Sequence, residues 1–233
     1  MKTFRRIFGW ALGVMLAVSA GAASAQVRPE NYATLARELD GRISFETLPQ
    51  RPEPGFNLDA PMRFQGAWLG ERLVGQTTSG APWDVIGGDP RVPLAIAPGK
   101  PGRNQSVARH RGFASNALFP LGPGGFPAVG ARGEGAVAIL FDRDQAAFGL
   151  RIQADYADPL GNRPLPGKVQ MAFYTRKGVL IAQTEHQLGY SITEIGLRRT
   201  GNIPDIAAVV ITNTDPGGVA IDDIVFQLTA LIG

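Results

Sequence analysis

The sequence contains no cysteine and only two histidines, His110 and His186, among 233 residues. The first absence removes disulfides, thiolate metal sites and cysteine nucleophiles. The second leaves little for histidine-based zinc chemistry, and no HExxH motif, G-x-S-x-G elbow or P-loop occurs. Tryptophan is scarce, at three residues. Apolar runs are scarce too. The one long run, Ile7 to Gly21, is short of the ~20 residues that a membrane-spanning helix needs.

That run has another reading. Lys2, Arg5 and Arg6 precede it, and Ala23-Ser24-Ala25 follows as a small-x-small cleavage site. This is the layout of a signal peptide over residues 1–25, cut after Ala25. Arg5-Arg6 with Phe8 faintly resembles a twin-arginine signal, with general secretion the default. No cysteine follows the cut, so a lipoprotein anchor is not expected. The expected location is periplasmic or secreted, with no membrane span after cleavage.

Charge gives no further partner. The formal net charge of +3 and pI of about 9.5 belong to the whole chain. All three excess basic residues lie in the signal segment, so residues 26–233 carry 20 charges of each sign. Nucleic-acid binding is therefore not expected. The Arg103–Arg111 stretch, with His110, reads as a solvated loop.

Thirty glycines and eighteen prolines suit an all-β domain with many turns. Residues 26–42 read as a polar lead-in with one short amphipathic helix, carrying Tyr32, Leu35 and Leu39 and stopped at Gly41. Ile43-Ser44-Phe45 reads as a strand, as do Met62–Leu69 and Leu73–Thr77. Thr78–Gly133 is rich in glycine and proline and should hold short strands joined by loops. Beyond it, Phe148, Leu150, Ile152 and Ala154 alternate with Gly149, Arg151, Gln153 and Asp155, the period of a half-buried strand. Val169, Met171 and Phe173 repeat the pattern. Strands over Ala136–Phe141, Val179–Ala182, Ile192–Leu197, Ile206–Thr212 and Val219–Leu228 complete the set. The connections are too short for crossover helices. The expected fold is an all-β, antiparallel, jelly-roll-like β-sandwich over residues 43–233. Its inward set is Phe45, Ile139, Phe141, Phe148, Leu150, Ile152, Met171, Phe173, Ile211, Ile224 and Phe226.

Three motifs resemble one family. Ile43-Ser44-Phe45-Glu46-Thr47-Leu48-Pro49 resembles the opening of secreted bacterial jelly-roll domains of the kind found in PEP-CTERM-type exported proteins. Ala147-Phe148-Gly149-Leu150 resembles their central strand, and Ala220-Ile221-Asp222-Asp223-Ile224-Val225-Phe226 their closing strand. The opening and closing pair is also similar to that of MAM domains. The chain lacks the sorting tail, and Thr78–Gly133 matches nothing in the family. The resemblance implies a jelly roll whose first and last strands lie close together.

Asp222-Asp223 interrupts an otherwise apolar strand. Adjacent strand residues point to opposite faces, so one carboxylate should face inward or lie at the rim, where it is costly unless paired or metal-bound. Two readings stand. The resemblance implies that Glu46, Asp222 and Asp223 can hold a structural calcium, completed by backbone carbonyls. Alternatively the three accept hydrogen bonds from amides or pair with arginine. Asp142 and Asp144 read as an exposed turn cluster. His186, beside Glu185, reads as structural.

For function, no catalytic constellation stands out, and two classes compete. One is a non-catalytic module in envelope or extracellular-matrix interactions. The other is carbohydrate-active, a glycan-binding module or a glycoside hydrolase, since a hydrolase needs only two carboxylates. Trp83 and Tyr156, in loop settings, are the candidate sugar-stacking residues. Trp68, at an even spacing of four residues from Phe64 in the same expected strand, is expected in the core.

Overall fold

A computed structural model describes residues 26–154 and 164–229. The expected signal segment (residues 1–25), Tyr156 and the last four residues lie outside the described residues.

The chain enters through β1 (Val27–Glu30), α1 (Tyr32–Glu38) and β2 (Gly41–Ile43). Seven short strands follow: β3 (Phe56–Leu58), β4 (Met62–Phe64), β5 (Ala67–Gly70), β6 (Arg72–Leu73), β7 (Thr77–Ser79), β8 (Val85–Gly87) and β9 (Ile96–Ala97). The longer ones are β10 (Gln105–His110), β11 (Ser115–Pro120), β12 (Val137–Gln145), β13 (Ala147–Ala154) and β14 (Lys168–Tyr174). The last four are β15 (Leu180–Gln187), β16 (Thr193–Arg199), β17 (Ile206–Asn213) and β18 (Val219–Phe226).

Two antiparallel sheets face each other. The first runs β1-β16-β13-β18-β11-β10-β3, with β2 also paired to β18. The second runs β15-β14-β17-β12-β5-β4. From β11 to β18 the chain passes between the sheets so that β16-β13-β18-β11 lies over β15-β14-β17-β12. That interleaving is the strand order of a jelly roll. The earlier strands widen both sheets.

The facing sides alternate as the sequence requires. All eleven expected inward residues lie in one buried cluster. Phe141 contacts Phe148 and Phe226, with ring centroids 5.9 and 5.3 Å apart. Burial of these side chains is the main favourable term for a domain without disulfides.

The lead-in is part of the sandwich. β1 pairs with β16 and β2 pairs with β18. Asn31 caps α1, its side-chain oxygen accepting the Thr34 N–H at 2.9 Å. Tyr32, Leu35 and Leu39 then share one helix face and pack on Ala147 and Val225, on the outer side of the first sheet. The floor under the helix is the cross-strand pair Gly149 and Gly196. A Cβ on Gly196 would lie 2.5 Å from the Glu30 carbonyl and 3.1 Å from Leu35.

Several expectations need correction. Gly41 starts β2 rather than ending the helix alone, and β2 stops at Ile43. Met62–Leu69 is a hairpin broken at Gln65-Gly66, because Gly66 takes a positive φ of 84°. Phe64 and Trp68 therefore lie on different strands, and their even spacing says nothing about a shared face. Arg103–Arg111 is not a solvated loop. Gln105–His110 is a mostly buried strand, and the His110 ring sits against Phe113 and Phe119.

Candidate functional site

The acidic pair comes first. Along β13 and β18, Gly149 faces Val225 and Arg151 faces Asp222. Two steps on one strand oppose three on the other, which is a β-bulge. Asp223 carries it, with φ of 51°. The extra residue resets the alternation, so Ile221 and Ile224 both enter the core. Asp222 and Asp223 both turn to the outer face, contrary to the expectation that one would point inward or to the rim. Arg42 and Arg151, which flank core residues on β2 and β13, meet them there.

Asp223 is clamped. Arg42 approaches its Oδ1 at 2.7 Å and Arg151 its Oδ2 at 2.8 Å. Its backbone carbonyl accepts the Tyr32 hydroxyl at 2.8 Å. Burial pushes this carboxyl up, but the two guanidinium groups outweigh burial and hold it below the usual range. Asp222 behaves oppositely. Burial, with the nearby Asp223 and Glu46 charges, pushes it up to about 6, opposed by a hydrogen bond from Ser115. Glu46 accepts the Asn116 N–H at 2.6 Å.

The structure thus gathers Glu46, Asp222 and Asp223 where β2, β11 and β18 meet. Their donor set does not fit a calcium shell built on Asp223, since both its oxygens already face guanidinium groups. Among the described residues, no group of three or more His, Asp or Glu side chains is disposed to hold a metal ion. The arrangement matches amide hydrogen bonding and arginine pairing.

Asp142 and Asp144 lie at the exposed end of β12. They pair with Arg63 and Arg176, each at 2.6 Å. His186 lies in β15, where its ring meets the Thr184 hydroxyl at 3.1 Å; burial lowers its pKa.

Of the aromatic candidates, Tyr156 lies outside the described residues. Trp68 is not in the core: it is 40% exposed, with Arg63 over its ring at 5.3 Å. Trp83 is half-buried, its indole N–H donating to the Asp215 carbonyl at 2.8 Å. That bond pins the loop between β7 and β8 to the turn before β18. The pinned loop forms one wall of a groove of about 460 Å³.

The groove's floor is the outer face of the second sheet. Gln170 on β14 lies opposite Thr212 on β17 and Glu185 on β15, and Ala172 lies opposite Val210 and Gln183. The inward alternation of Val169, Met171 and Phe173 leaves these side chains facing out. Tyr174 lines the groove and its hydroxyl accepts a hydrogen bond from the Gln76 side chain at 3.2 Å. Lys168 and Gln170 donate to Glu185 and hold its carboxyl below the usual range. Asp84, in the same loop, also lines the groove but is only 3% exposed. The sequence signal for this floor was the polar half of the β14 alternation. Nothing in the sequence brought the Gly80–Ile86 loop over it.

No protein-family model matches the sequence, and no characterised protein matches it. Among the solved structures that resemble part of it, three can be named. They are an arabinose-bound GH51 α-L-arabinofuranosidase (12% identity, TM-score 0.31), the CBM22-1–GH10 modules of Clostridium thermocellum endo-1,4-β-D-xylanase 10B complexed with xylohexaose (10%, 0.32) and the enzymatically active domain of bacteriophage CBA120 tailspike protein 4 (12%, 0.29). The matches cover 52%, 54% and 54% of this chain, and 22%, 24% and 18% of those chains. A likeness this low and partial says nothing of what the protein binds.

Proposed function

We propose that the protein is an exported, non-catalytic β-sandwich module that binds a glycan of the envelope or extracellular matrix in the groove on its second sheet. One observation carries the reading. Gln170, Gln183 and Thr212 present amide and hydroxyl groups side by side on a rigid sheet, beneath a wall containing Trp83. Aligned amides and hydroxyls suit sugar hydroxyl groups, and an aromatic edge suits the apolar side of a sugar ring. A hydrolase reading has less support. It needs a second carboxylate free to work with Glu185 across the groove, and the Asp84 carboxyl, though it lines the groove, is almost fully buried and accepts the Ala136 N–H at 3.2 Å.

The groove is also close to neutral, because Lys168 offsets Glu185 and Arg103 lies 3.8 Å from the Asp84 carboxyl. Uncharged polysaccharides should bind in preference to uronate-rich ones. The test is glycan-array screening followed by calorimetric titration of the best hit. Gln170→Ala and Thr212→Val should each weaken binding while leaving the melting temperature close to wild type. Absence of binding to any glycan, or binding indifferent to both changes, would refute the proposal.

A further inference from the structure

A sheet edge presents a row of backbone donors and acceptors, and proteins usually blunt such edges. Four strands end the two sheets among the described residues. β1 is four residues long and carries Pro29, and β3 and β4 are three residues each. These three are blunted by length or proline. β15 is different. It runs eight residues, Leu180-Ile181-Ala182-Gln183-Thr184-Glu185-His186-Gln187, with no proline, lysine or arginine. No described strand pairs with its outer edge. Its one carboxylate, Glu185, is offset by Lys168.

The hydrogen-bond phase of this edge can be read. Lys168 faces Gln187, and the Leu188 N–H donates to the Gly167 carbonyl at 3.0 Å. Leu188 therefore directs its backbone groups toward β14. In an antiparallel ladder this direction alternates residue by residue. Register is unbroken from Lys168–Gln187 to Phe173–Ala182. Gln183, Glu185 and Gln187 therefore aim their N–H and C=O groups away from the sheet.

We infer that β15 is a self-association edge, on which a second copy of this chain pairs antiparallel about a two-fold axis at Thr184. Side chains select that register. An axis at Glu185 would set two carboxylates directly opposite each other, which is unfavourable. An axis at Thr184 sets Glu185 against the partner's Gln183, amide against carboxylate, twice. It sets Ala182 against the partner's His186, and Thr184 against its own copy. The two second sheets then form one continuous sheet. Gln183 and Glu185 of both copies lie on one face of it, so the two grooves meet across the axis. The inference does not depend on what the grooves bind.

The absence of cysteine gives a clean test. At a non-hydrogen-bonded antiparallel pair the Cα atoms lie about 4.5 Å apart, within the span of a disulfide. Thr184→Cys should therefore oxidise to a covalent dimer, and Gln187→Cys, three residues from the axis, should not. By sedimentation equilibrium the wild type should be a dimer that dissociates on dilution. Gln183→Glu places two carboxylate pairs in direct opposition and should weaken the dimer by roughly tenfold. Gln183→Pro removes an outward N–H, which an edge strand tolerates, and should give a folded monomer by circular dichroism. A wild type that stays monomeric at the highest attainable concentration would overturn the inference. So would equal crosslinking of the two cysteine variants, or a dimer unaffected by both Gln183 changes.

Discussion

Glu134 should make the protein less stable as pH rises. It is only 5% exposed, and its Oε2 is buried with no hydrogen-bond partner. Burial pushes its pKa up to about 7, with the Asp215 charge adding and Arg132 opposing. The sign follows from linkage. A group whose folded pKa exceeds its unfolded value favours the folded state while protonated. That contribution is complete below about 4.5 and is lost as pH climbs through about 7. At 1.36 kcal/mol per unit, the loss is roughly 3 kcal/mol across that window. Glu134→Gln removes the titration but still buries an unsatisfied group, a cost of about 1–3 kcal/mol that does not vary with pH. The useful quantity is therefore the difference between the two proteins as a function of pH. Urea unfolding at pH 5 and pH 8 should show the variant gaining on the wild type by up to roughly 3 kcal/mol at the higher pH. Parallel stability profiles from pH 4 to 8 would refute the reasoning. They would show that Glu134 is solvated or paired in solution.

Other perturbations test other parts of the argument. Phe148→Ala empties a fully buried site between the sheets and should cost about 3–5 kcal/mol in chemical denaturation. Gly196→Ala forces a methyl group into the Glu30 carbonyl and Leu35, so it should cost about 1–3 kcal/mol and reduce helical circular dichroism as α1 lifts. Asp222→Asn removes a carboxyl whose pKa is pushed up to about 6. It should gain on the wild type as pH rises from 4 to 7, and equal unfolding midpoints relative to wild type at both ends would contradict this. Asp223→Asn keeps a side chain that tolerates positive φ but breaks the two-arginine clamp, whereas Asp223→Ala adds backbone strain. Thermal melts should therefore rank wild type above Asp223→Asn above Asp223→Ala.

The core was legible because its strands bury one face against the opposite sheet. A period of two then assigns every residue, as from Phe148 to Ala154 and from Val169 to Phe173. The same rule failed where a local irregularity resets the phase. Gly66 folds Met62–Leu69 back on itself and sends Trp68 out to solvent. Thr78–Gly133 was unreadable for a related reason. Its first part is largely loop packed onto the outer face of the second sheet, where Ile86, Leu94 and Ile96, together with Leu73 just before it, cover Leu140 and Val210. Such packing follows no sequence period. Within that stretch β10 and β11 still form a hairpin beside β18, and their burial on both faces hides the alternation that would reveal them.

The acidic pair shows why a site is harder to read than a core. From sequence, two adjacent aspartates in an apolar strand must divide between the faces, and an inward carboxylate invites a cation. The bulge removes that premise by placing both on one face. There the compensating charges come from Arg42 and Arg151, on strands β2 and β13, far apart in the sequence. Arg151 was readable as an outward residue of an alternating strand, whereas Arg42 fell within the stretch read as a lead-in. That they converge on Asp223 depends on which strands neighbour β18, a property of topology rather than of spacing. The groove has the same logic. Its floor is the polar half of a readable alternation, but its wall depends on the bond from Trp83 to Asp215, across residues that no local pattern connects. Local periodicity therefore assigns faces in this protein, and long-range strand order decides which of those faces become sites.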